Sequence, residues 1–70
     1  MTRQEYFQIM DILDALKQKE DKYCARYCEL NPADVRRRTH DANLYKGALE
    51  EVRHNIRYHF ANDIVKWEAR

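Results

Sequence analysis

Pro32 is the only proline in the chain, and it stands between two long stretches that each carry one apolar stripe. A proline ring removes a backbone N–H and pushes the preceding residue out of the α region, so no single helix runs through Asn31-Pro32. Both flanks nonetheless read as helix. Thr2-Arg3-Gln4-Glu5 is a capping-box pattern that starts a helix at residue 3. From there Tyr6, Ile9, Leu13, Leu16, Tyr23, Tyr27 and Leu30 follow a heptad, with Phe7, Met10, Ile12 and Cys24 widening the stripe. Beyond the proline, Tyr45, Leu49, Val52, Ile56, Phe60, Ile64 and Trp67 recur at steps of three and four, the spacing of one buried helical face.

The punctuation sets the architecture. Asn31 as N-cap, Pro32 at the first helical position and Asp34 in the first turn describe a helix start directly after a helix end. The expected elements are a helix over about 3–29, a turn at 30–32 and a helix over about 33–68. A connection that short forces antiparallel neighbours. The fold class is therefore all-α, an antiparallel helical hairpin forming one domain over 1–70. The eight aromatics exceed what one seam covers, so a second copy or another protein is expected to take the remainder, a second copy completing a helical bundle by dimerisation.

The second helix admits two readings. Val35, Ala42, Tyr45 and Leu49 keep register across Arg36-Arg37-Arg38, which favours one continuous helix. Alternatively Thr39, followed by His40 and Asp41, caps a fresh helix and leaves 32–38 as a short connecting helix. At about 1.5 Å per residue the first helix spans roughly 40 Å and a continuous second helix roughly 55 Å. Ile64, Val65 and Trp67 would then overhang the hairpin without cover from their own chain. A break at Thr39 removes the overhang.

Lys plus Arg (13) nearly balances Asp plus Glu (12), which provides no strong field for nucleic acid or an anionic membrane. One glycine and no serine argue against linkers and a loop-rich β fold. Apolar runs are too short for a membrane span, and a cytoplasmic protein is expected. Without serine or a Gly-rich phosphate loop, no catalytic centre stands out, and neither an enzyme nor a cofactor is expected. The carboxylates Asp11, Asp14, Glu50, Glu51 and Asp63 fall at salt-bridge spacing along the helices. His54 and His59 are five apart and do not share a helical face. Cys24, Cys28 and His40 match no zinc spacing, so no metal site is expected, and the cysteines read as small half-buried hydrophobes. Glu20 occupies a seam position inside the polar run Lys17 to Lys22. It is either part of a solvated, salt-bridged stretch or a layer that fixes register.

The opening Met1-Thr2-Arg3-Gln4-Glu5, a turn near residue 30, and His40-Asp41 followed by Leu44-Tyr45 resemble the repressor-of-primer family of plasmid copy-number proteins. The matches cover about a fifth of the chain. The resemblance implies a helical hairpin that pairs into a four-helix bundle. That family binds paired RNA loops through an exposed aromatic on its first helix, and here Asp14 occupies the middle of the comparable stretch.

Two functions follow as expectations. The first is a small protein-interaction module, a regulator, inhibitor or assembly accessory of the kind phage and mobile-element genes encode. It would bind a protein partner through Tyr58, Phe60, Ile64, Val65 and Trp67 and associate as a homodimer. The alternative is a nucleic-acid binder using Arg36, Arg37, Arg38, Lys46, Arg53 and Arg57, with Tyr45 and Tyr58 available to stack on bases.

Overall fold

The computed structural model describes residues 1–69 as an antiparallel helical hairpin with a short third helix at its open end. Helix α1 is Arg3–Leu30, a single 3-10 turn is Pro32–Asp34, α2 is Val35–His59 and α3 is Ala61–Glu68. The hairpin is a rod of 48 × 17 × 17 Å.

Helix α1 begins where the capping box requires. The Glu5 amide donates to the Thr2 hydroxyl at 3.2 Å, and the Thr2 amide donates to the Glu5 carboxylate at 3.0 Å. It ends at Leu30 because Asn31 leaves the helical region (φ −134°, ψ 67°) ahead of Pro32. Asn31 does not cap the following turn with its side chain. Its side-chain amide donates to the Tyr27 carbonyl at 3.1 Å instead, and its backbone N–H donates to the same oxygen at 2.9 Å. Asn31 therefore closes the old helix, and Pro32 starts the new one.

The second helical stretch is neither of the two expected forms. It passes unbroken through Thr39, so there is no connecting helix over 32–38 beyond the Pro32–Asp34 turn. The interruption falls at Phe60, which adopts φ −114°, ψ 25° between α2 and α3. After this kink α3 folds over the hairpin end, and the overhang of Ile64 and Trp67 does not occur. The physical reason is apolar burial: Ile64 is 5% exposed and joins Tyr6, Met10 and Leu13 in the core. Phe7, Ile9, Leu49, Ile56, Phe60 and Trp67 pack against that cluster.

The core is thus concentrated at the open end. Toward the turn it thins to Ala42, the one buried residue of α2. There the seam is closed by Glu20 with Arg38 and by Cys24, whose thiol lies 3.9 Å from the Arg38 carbonyl oxygen.

Candidate interaction surface

One side of the hairpin is sealed by charge. Asp14, Lys17 and Asp21 on α1 face Arg53, Glu50 and Lys46 on α2. The Lys46–Asp21 pair closes to 2.7 Å and the Arg53–Asp14 pair to 3.5 Å. Signs alternate along each helix. A slip of one turn would set Asp14 against Glu50 and Lys17 against Lys46, like against like, so the ladder specifies register. The sequence pattern put these charges at intrahelical spacing, but Asp14 pairs with Arg53 and Glu50 with Lys17, across the hairpin. The legible signal was their position: residues three and four apart flanking each apolar stripe, with alternating sign.

The other side is sealed only near the turn. Glu20 and Arg38 meet at 2.6 Å with side chains 15% and 18% exposed, which makes Glu20 part of a cross-hairpin polar layer in the seam. Next to it Asp34 accepts from the Tyr27 hydroxyl at 2.6 Å and from Arg37, which also reaches Asp41 at 2.8 Å. These donors, Arg37 first and then Tyr27, hold the Asp34 carboxyl down at about 2.

Apart from that polar layer, the same side is only partly covered. On α1 the heptad stripe has two halves, Tyr6-Leu13-Glu20-Tyr27 and Ile9-Leu16-Tyr23-Leu30. Helix α2 lies over the first half. In the second, Ile9 and Leu16 are half-buried, while Tyr23 and Leu30 are 62% and 73% exposed. On α2, Tyr45 and Val52 share a face seven residues apart, on the side away from Lys46 and Arg53, and both are exposed. Ile9, Leu16, Tyr23, Tyr45 and Val52 therefore form an apolar strip along one flank of the rod.

The residues expected to face a partner divide. Phe60, Ile64 and Trp67 belong to the chain's own core, whereas Tyr58 and Val65 are 76% and 72% exposed. Trp67 lies 5.5 Å from Tyr6 and 6.3 Å from Phe60 between ring centroids. Its carbonyl accepts from the Arg3 guanidinium at 3.0 Å. Glu68 accepts from the Tyr6 hydroxyl at 3.0 Å and from Arg57 at 2.6 Å, and these donors, Arg57 foremost, hold its carboxyl below the ordinary carboxylate range. Burial, followed by the bond to Glu68, pushes the Tyr6 phenol up.

The six cations of the nucleic-acid alternative are mostly engaged. Arg37, Arg38, Lys46, Arg53 and Arg57 each pair with a carboxylate of the chain, and Arg36 is exposed without such a pair among the described residues. The cysteines are free and half-buried, and burial raises the Cys28 thiol above its ordinary value, with Cys24 adding to the shift. Among the described residues, no three His, Cys, Asp or Glu side chains are placed to hold a metal ion. Nor is any helix there long and apolar enough to cross a membrane.

No protein-family model matches the chain, and no curated protein or solved structure is detectably similar to it. The likeness to the repressor-of-primer family rests on the short motifs alone.

Proposed function

We propose that this chain is a small non-enzymatic interaction module, a regulator or assembly accessory, that docks a protein along its partly covered flank. The observation that carries this is the half-covered heptad stripe of α1: Ile9, Leu16 and Tyr23 continue the seam's pattern, yet the first two are only half-buried and Tyr23 is exposed. Surface area supports it. A compact protein of 8.6 kDa exposes about 4,700 Å². This chain exposes 5700 Å². The excess is close to the roughly 800 Å² that one partner contributes to a stable interface. Tyr23 and Tyr45 are the anchors, because aromatic side chains with a polar tip suit surfaces that are wet when free and dry when bound.

The partner is a protein, a second copy included, and not nucleic acid, since five of the six candidate cations are already neutralised within the chain. The test is Tyr23→Glu with Val52→Glu, both at exposed positions where charge leaves the fold intact. Affinity capture with quantitative mass spectrometry, run beside sedimentation of the purified protein, should show association by the wild type and its loss in the double variant. Equal association by both proteins, or tight RNA or DNA binding near physiological salt that disappears in Arg36→Gln, would overturn the reading.

A further inference from the structure

The local sequence does not by itself force the kink at Phe60. Neither glycine nor proline lies between residues 48 and 68. Phe60 offers α3 no side-chain cap. Across the kink the Phe60 amide still reaches the Ile56 carbonyl at 3.1 Å and the Ile64 amide the Phe60 carbonyl at 2.8 Å, but the regular helix is interrupted between His59 and Ala61. A straight helix would restore the regular ladder through Phe60. The bend is therefore held from outside, by the seat that α3 occupies: Ile64 on Met10 and Leu13, Trp67 on Tyr6, and Glu68 between Tyr6 and Arg57.

Every contact in that seat is equally available to α3 of another copy. We infer that α3 is an exchangeable arm, and that two copies of this chain pair by straightening at Phe60 and each seating its α3 on the other's Tyr6 end. Nine residues, Phe60 to Glu68, prolong a straight α2 by about 13 Å. That is enough to carry Ile64 and Trp67 past their own hairpin. The two rods meet open end to open end about a two-fold axis, an isologous arrangement in which each seat is filled once. The exchanged form keeps the apolar contacts and the Tyr6–Glu68–Arg57 cluster, with Glu68 supplied by the partner, and regains the regular ladder through Phe60. Joining two free bodies into one opposes it, so the exchanged dimer gains on the monomer as concentration rises. This inference uses the rod's end and is independent of the partly covered flank.

The test is a mixture of isotope-labelled and unlabelled full-length chains, unfolded together in urea and refolded at about 1 mM, examined by isotope-filtered NMR. A dimer showing intermolecular contacts between the Tyr6 ring and the Trp67 indole is expected. Asn62→Ala with Asp63→Ala, both at exposed hinge positions, should tighten that dimer roughly tenfold, because alanine favours the unbroken helix and the change removes a carboxylate that favours a helix start at 61. The flank variant Tyr23→Glu with Val52→Glu should leave the exchange intact. A dimer whose Tyr6–Trp67 contacts are all intramolecular would overturn the inference. So would a hinge variant that stays monomeric at 1 mM after refolding.

Discussion

Truncating Ile64 to alanine tests whether burial of α3 bends the second helical stretch. Ile64 is 5% exposed and contributes to the Tyr6, Met10 and Leu13 cluster. The change deletes three carbons, about 2.4 kcal/mol at roughly 0.8 kcal/mol per buried methylene. A residual cavity adds to this, within a range of about 2–5 kcal/mol for such truncations. The site lies at an end of the rod, under a single eight-residue helix that can sink into the gap, so the lower half of that range applies. A chain of this size has a total stability of about 3.5–10 kcal/mol. The loss is thus a large fraction, and it falls first on the docking of α3. Trp67 is the only tryptophan and sits in α3, so its emission reports docking while circular dichroism reports helix. In urea, with a slope near 1 kcal/mol/M, the Trp67 transition of Ile64→Ala should move down by about 2 M and precede loss of helix. If both transitions stay coincident and move by less than about 0.5 M, burial of Ile64 does not hold the bend.

Other expectations follow from particular contacts. The Asp34 carboxyl, at about 2 against an ordinary 3.8, contributes stability that is complete above pH 3.8 and is lost as pH falls through about 2. NMR titration should find that midpoint, and Arg37→Gln should return it toward the ordinary range; an unmoved midpoint would exclude Arg37 as its main cause. Lys17→Glu should lower the melting temperature by placing like charges across the ladder at Glu50, and Lys17→Glu with Glu50→Lys should restore it. Strictly additive effects would mean that the ladder does not couple the helices. A Cβ at Gly47 would meet nothing within 4 Å, so Gly47→Ala should stabilise α2 by about 1 kcal/mol, and an unchanged thermal melt would contradict this. Replacing Asn31-Pro32 with Ala-Ala should fuse α1 and α2 into one long rod in small-angle scattering; an unchanged 48 Å particle would show that packing alone maintains the turn.

What could be read from the residues alone was local. The capping box at Thr2 and Glu5, the stop at Asn31-Pro32 and the two apolar stripes depend on neighbours three or four positions apart, and they determine the all-α hairpin. Continuity through Thr39 belongs to the same class, since Arg36, Arg37 and Arg38 are good helix formers and nothing interrupts the stripe. The kink at Phe60 was not legible, because its cause is an apolar seat on Tyr6 and Met10, at the far end of the chain. The same distance hid the roles of Ile64 and Trp67, whose spacing is identical whether they cover their own hairpin or a partner. Charge pairing divides in the same way: Arg37 with Asp34 and Asp41 is readable from helical spacing, whereas Glu20 with Arg38 and the Asp14 to Asp21 ladder required the antiparallel register. Helix formation is a short-range equilibrium that each stretch of sequence settles for itself. Which half of a stripe is covered, and where a helix must bend to cover it, is decided when the two helices meet.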